Sequence, residues 1–196
     1  VVRAVGSVAL AIVSLAGVPQ VAGRPAVHAA EWPQWRGPAR DGVAHDSPAL
    51  CNALPPEGLH PVWTSEEIPS GNFGGWGSPV VAGGRVYLFV HSKAKGQEGD
   101  PPPKKYPWLP PEKRVGMTDE EYAEYERLRR DEDEMLSKFY DFRETVYALD
   151  AQTGQTLWKN EIKSVYTRFL QSGSPAVVDG RLYILGAGRR ARCLDA

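Results

Sequence analysis

Residues 77–89 read GSPVVAGGRVYLF, and residues 173–185 read GSPAVVDGRLYIL. Seven positions agree at a displacement of 96: Gly77, Ser78, Pro79, Val81, Gly84, Arg85 and Tyr87 return as Gly173, Ser174, Pro175, Val177, Gly180, Arg181 and Tyr183. A second phrase, VYALDA at 146–151, returns as ARCLDA at 191–196, displaced by only 45. The difference, 96 − 45 = 51 residues, measures an insertion in the first copy, and 45 is the underlying period. A period of this size, built of short apolar runs between glycine turns, points to a repeated unit of four antiparallel strands.

Each copy supplies the parts of such a unit. A short run follows Ser-Pro, and Gly83-Gly84 or Asp179-Gly180 then offers the positive φ angles of a two-residue hairpin. The second strand is RVYLFV or RLYILG, rich in residues that suit a half-buried pleat. The third, TVYAL, closes on Asp150-Ala-Gln-Thr-Gly154, where Asp and Thr can bond local amides and Gly can take positive φ. The fourth is QTLWKNEI with Trp158. Upstream, Trp63 precedes Ser78 by 15 residues, much as Trp158 precedes Ser174 by 16, so residues 59–68 are expected to form a fourth strand on their own.

The stretch VYALDAQTGQTLW resembles the Leu-Asp-Ala-x-Thr-Gly-x-x-x-Trp repeat of pyrroloquinoline-quinone (PQQ)-like β-propellers. That group includes quinoprotein alcohol dehydrogenases and the propeller of the outer-membrane assembly machinery. The leader EWPQWRGPARDGVA, residues 31–44, is similar to the opening of many exported bacterial members. The resembling segments span residues 31–90 and 144–196. The resemblance implies an all-β fold: a β-propeller of four-stranded antiparallel blades, incomplete in this chain, with one helical insertion. Residues 31–58 would be a leader, 59–68 a lone blade strand, 77–162 a first blade carrying the insertion at 92–143, and 173–196 a truncated second blade. It also implies that Trp63 and Trp158 dock between neighbouring blades as core.

Two functions follow from the resemblance. One is an exported, non-catalytic binding or assembly scaffold; the alternative is the N-terminal part of a PQQ-dependent alcohol or sugar dehydrogenase, with PQQ and calcium on the ring axis. Such dehydrogenases show adjacent cysteines, a calcium-binding carboxylate and a catalytic Asp. Cys51 and Cys193 are not adjacent, and no other member of that set maps onto the sequence. The expectation is therefore no catalytic residue, no metal and no cofactor within this chain, with PQQ and calcium belonging only to a longer parent that is a dehydrogenase. The fold resemblance carries little about activity, because one superfold serves many functions.

The insertion departs from the blade pattern. KAKGQEGDPPPKKYPWLPPEKR is too proline-rich for a helix or an inner strand and is expected to be an extended, mobile loop. Thr118 and Glu121 have capping-box spacing, which predicts a helix from Asp119 to Phe139 with a stripe of Tyr122, Tyr125, Leu128, Met135, Leu136 and Phe139, broken near Glu132. The stripe would pack on the blade edge, the rival being a partner-binding lid. In an antiparallel unit the connection from strand two to three and that from strand four to the next unit emerge on one face. The insertion should thus share a face with PSGNFGGWG (69–77) and KSVYTRFLQSG (163–173). Loop residues Phe73, Trp76, Tyr166, Arg168 and Phe169 are the ligand-face candidates there, for a protein or carbohydrate partner.

The totals narrow the classes further. Lys and Arg number 23 against 24 Asp and Glu, so no basic field suggests nucleic acid. Arg3 is followed by an uncharged stretch with the apolar centre VALAIVSLAGV and then AVHAAEW, the order of a secretory signal peptide over residues 1–30. The rival is an uncleaved signal anchor, which would be the chain's one membrane contact. Either way the protein is expected to be exported: periplasmic, envelope-bound or extracellular. Cys51 and Cys193 read as two unrelated thiols, with a single bridge in an oxidising compartment as the alternative. His28, His45, His60 and His91 are scattered without zinc-ligand spacing.

Overall fold

The structure is a computed structural model and describes residues 31–45, 52–56 and 58–196. Two hairpin turns organise it. Gly83 and Gly84 have φ of 57° and 72°, and Asp179 and Gly180 have 48° and 71°. Positive φ at both central residues is what a type I′ turn needs to match the twist of its flanking strands. The first turn joins β1 (Val80–Ala82) to β2 (Arg85–Lys95); the second joins β5 (Ala176–Val178) to β6 (Arg181–Gly186). After the insertion, with helix α1 at Asp119–Leu136, come β3 (Tyr140–Asp150) and β4 (Thr156–Lys163), and the chain ends in β7 (Arg190–Asp195). The strands form two antiparallel sheets, β1-β2-β3-β4 and β5-β6-β7.

The Asp150–Gly154 turn forms through side-chain bonding. Asp150 Oδ1 accepts from the amides of Gln152 and Thr153 at 2.9 and 2.8 Å and from the Thr153 hydroxyl at 3.0 Å. Those donors hold the Asp150 carboxyl below the usual carboxylate range. Gly154 takes φ 72°, and a Cβ there would lie 2.7 Å from Trp63 Cδ2. Trp63 therefore packs on this turn and donates its indole N–H to the Ala151 carbonyl at 3.0 Å. Residues 59–68 contain no strand, which corrects the expected lone blade strand. Their attachment runs through side chains: besides Trp63, Glu66 accepts from Thr156 and Lys159 of β4.

One core lies between the sheets. Val80, Ala82, Tyr87, Phe89, Val146 and Ala148 face Leu182 and Ile184, with Trp158 and Leu194 packed against them. The register explains this face: Tyr87 pairs with Ala148 and Phe89 with Val146, so period-2 alternation puts them on one side. The opposite face of the first sheet carries Val90, Tyr147 and Leu149, covered by Ile68. Residues 31–33 stitch the two sheets, since Trp32 exchanges backbone bonds with Val81 (2.8 and 2.9 Å) while the Pro33 carbonyl accepts from Val177 at 2.7 Å. The duplicated Gly-Ser-Pro phrases also meet: Ser78 N–H donates to Ser174 Oγ at 3.0 Å, and a Cβ on Gly77 would lie 2.9 Å from the Gly173 carbonyl oxygen.

This architecture corrects the expected all-β propeller. The described residues form a four-stranded and a three-stranded antiparallel sheet with an 18-residue helix, a mixed arrangement without a closed ring or barrel. The repeated phrase encodes what is local in sequence, namely hairpin turns and side-chain alternation. How units stand relative to one another depends on contacts between them, and here they bury one shared face. The insertion is also shorter than 92–143. β2 continues to Lys95 and β3 begins at Tyr140, with unbroken pairing from Arg85↔Asp150 to Lys95↔Tyr140. The expected signal peptide, residues 1–30, and Cys51 lie outside the described residues; Cys193 is exposed on β7.

Candidate functional site

Antiparallel order brings the 96–139 and 164–175 connections out at the same end of the first sheet. Helix α1 starts as its sequence requires: Thr118 Oγ1 accepts from the Glu121 amide at 3.2 Å, and Glu121 Oε2 accepts from the Thr118 amide at 2.9 Å. It ends at Leu136, with Ser137–Phe139 forming a 3-10 turn. The proline-rich loop before it is pinned. Glu132 accepts from the amides of Lys105 and Tyr106 at 2.7 and 2.8 Å, Tyr125 donates to the Pro107 carbonyl at 2.8 Å, and Tyr106 meets Tyr125 edge-on. That Glu132 sits where the apolar stripe breaks is thereby explained. Met135, expected in the stripe, is exposed; Leu136 is buried.

These elements enclose a cleft of about 330 Å³. Its floor is Lys93, Tyr140 and Phe142 at the ends of β2 and β3; one wall is Arg129, Asp133 and Leu136 of α1; the other is residues 166–170. Asn72, Trp76, Pro101, Pro102, Lys104 and Ser137 complete the lining. Four of the candidate residues, Trp76, Tyr166, Arg168 and Phe169, thus border one space. Phe73 closes a 3-10 turn at Gly71–Phe73, and its side chain lies outside what is described. Trp76 donates its indole N–H to the Gly71 carbonyl and stays 47% exposed, while Phe169 is 66% exposed with the Arg168 guanidinium 5.4 Å from its ring centre. Tyr166 packs edge-on against Phe142; burial first, then Asp133 and Glu134, push its hydroxyl above the ordinary tyrosine range.

Charge at the cleft is unevenly matched. Lys93, Lys104, Arg129 and Arg168 line it against a single carboxylate, Asp133, which pairs with Lys104. Glu126 bridges the helix to the loop, taking Arg129 at 3.0 Å and Arg168 at 2.8 Å. Burial works against the Glu126 carboxylate, but the two guanidiniums outweigh it and hold its pKa below the ordinary value. Lys93 has no carboxylate partner among the described residues and lies 4.7 Å from the Tyr140 ring centre. Arg129 Nε is buried and finds no hydrogen-bond partner among them.

Behind the cleft lies a buried polar cluster that sequence reading missed. His91 on β2 pairs in register with Glu144 on β3, and both are fully buried. Glu144 Oε1 accepts from Ser164 Oγ at 2.9 Å and from the Ala187 amide at 2.7 Å, and its Oε2 lies 3.6 Å from Arg192 Nη1 of β7. Gly186 makes room, since a Cβ there would lie 2.8 Å from Glu144 Cδ. His91 Nδ1 accepts from the Gln171 amide at 3.1 Å, and its ring tilts against Phe142. Burial pushes the imidazole pKa below the ordinary value, against the pull of Glu144 and of the backbone at Val165. His91 and Glu144 flank the point where the insertion was expected to begin and end, so their pairing was hidden. The alternation Phe89-x-His91-x-Lys93 against Phe142-x-Glu144-x-Val146 was the available signal.

The arrangement can bind and can position. Aromatic faces and excess cations suit a ligand, while Glu144 and His91 fix the two ends of the loop that carries three of the candidates. No group of three His, Cys, Asp or Glu side chains capable of holding a metal is assembled among the described residues, and no helix among them is long and apolar enough to cross a membrane. The chain matches no protein-family model, no curated protein and no solved structure.

Proposed function

We propose that the chain is an exported, non-catalytic binding or assembly scaffold with PQQ-like repeats, and that it binds its partner at the cleft between α1 and the 164–171 loop. The observation that supports this most is the convergence of Trp76, Tyr166, Arg168 and Phe169 on one 330 Å³ space, of a size that suits small-ligand recognition. Aromatic rings and arginine are the side chains that most often carry binding energy at an interface.

The test is to probe the full chain and its Trp76→Ala/Phe169→Ala variant on glycan and peptide arrays. Specific binding that disappears in the variant, with the far-ultraviolet spectrum unchanged, is the expected result. Binding unaffected by the variant would overturn the assignment of the cleft. A parallel assay adds PQQ and calcium and follows dye reduction with ethanol or glucose; turnover would overturn the non-catalytic part.

A further inference from the structure

The composition of the cleft narrows what it takes. We infer that its ligand is an acidic saccharide, a pyranose chain bearing carboxylates, with sugar faces stacked on Trp76 and Phe169 and a carboxylate held by Lys93 and Arg168. This rests on the binding reading above and specifies its ligand class.

Three observations lead there. First, the exposed rings offer faces without free polar handles: the Trp76 N–H is already committed to Gly71, and Phe169 has none. Flat apolar faces suit the C–H face of a pyranose, whereas a peptide ligand would gain most from open backbone donors or a sheet edge. Secondly, the cations exceed the carboxylates. Lys93 is unmatched among the described residues, and Arg168 shares Glu126 with Arg129, so an incoming carboxylate would complete the charge balance. Thirdly, the partly buried Arg129 retains a buried Nε–H without an acceptor, a donor that the protein itself leaves unsatisfied. A neutral sugar would leave the second of these features unused.

The probes are tri-galacturonate, its fully methyl-esterified form, and an acetylated tetraglutamate peptide, each titrated into the full chain by calorimetry and tryptophan fluorescence. Tri-galacturonate should bind, the ester about tenfold or more weaker, a ratio set by one charge-assisted contact. Lys93→Gln should lower affinity for the acid but leave that for the ester unchanged. Phe169→Ala should weaken both; its ring is two-thirds exposed, so the variant keeps the core intact. Affinity for the acid should also fall with salt. Equal binding of acid and ester would overturn the inference, as would no binding of tri-galacturonate. If tetraglutamate instead binds and Phe169→Ala abolishes it, the saccharide is wrong while the binding cleft stands. Failure of all three probes, together with array binding indifferent to the cleft variant, would remove both.

Discussion

Replacing Glu144 by Ala should unlock the two sheets at the cleft end. The carboxylate is fully buried and accepts from Ser164 and Ala187, donors that the substitution leaves with nothing in a site that is itself buried. Each orphaned donor costs about 1–3 kcal/mol. Arg192, 13% exposed, also loses the charge 3.6 Å away, although at that distance without a hydrogen bond it adds little. Against these stands relief from burying a carboxylate, so the net expectation is a loss of about 3 kcal/mol. In urea, with a slope of about 2 kcal/mol/M, that is a midpoint shift of about 1.5 M. Ser164→Ala removes one donor without orphaning the carboxylate and should cost about 1 kcal/mol. Unfolding followed by tryptophan fluorescence and by circular dichroism gives both values, and amide exchange at 164–171 reports the loop. A loss below about 0.5 kcal/mol for Glu144→Ala, with loop exchange unchanged, would refute the claim that this carboxylate holds the sheets and loop together.

Further outcomes follow from the same geometry. Because burial depresses the His91 pKa in the folded state, the unfolded chain binds the extra proton first. Stability is therefore full above the unfolded value of about 6.5 and is lost as pH falls below it, by at most about 1.4 kcal/mol per unit. Glu144 on β3 is the charged group that acts on it, and His91→Gln should flatten the slope between pH 7 and 5 in pH-resolved urea titrations. Gly154→Ala combines a φ of 72° with a Cβ that would clash with the Trp63 ring, 2.7 Å from its Cδ2, so it should cost about 1–3 kcal/mol and shift Trp63 emission. Thr118→Ala removes one half of the capping box and should cost about 1 kcal/mol, read as faster amide exchange in the first turn of α1.

How far the sequence could be read depends on the range of the contacts involved. Gly83-Gly84, Asp179-Gly180 and the Asp150–Gly154 turn act through their own φ angles and side-chain bonds, so their positions and the hairpins they close were legible. The capping box of α1 is local in the same sense. The lone strand at 59–68 was not there, because Trp63 and Glu66 attach that segment by side chains to Ala151, Thr156 and Lys159, contacts that need no ladder. The shared face of the insertion and the 163–173 loop was legible from antiparallel order alone. The polar lining from α1 was not: Leu136 belongs to the expected stripe, but Arg129 and Asp133 lie outside it and reach the cleft only through the way the helix packs.

The polar cluster poses an energetic question whose answer bears on the cleft. A histidine and a glutamate at the end of an apolar inter-sheet face are poorer for stability than Leu and Val would be. Their bonds, however, do not go to one another's neighbours on the ladder. Glu144 takes Ser164, where the loop leaves β4, and Ala187, where the second sheet turns; His91 takes the Gln171 amide, where the loop returns. Phe142 lies between the imidazole and Tyr166, so loop, cluster and cleft floor are in continuous contact. Apolar residues could fill this volume, but they could not bond the Ser164 hydroxyl and the Gln171 amide, seven residues apart. A loop clamped at both ends holds Arg168 and Phe169 in place before a ligand arrives, which reduces the entropy lost on binding. If that is the role of the cluster, a His91→Leu variant should be as stable as the parent or more so at neutral pH, yet bind the cleft ligand more weakly. Equal affinity in a stabilised variant would leave the burial of His91 without this explanation.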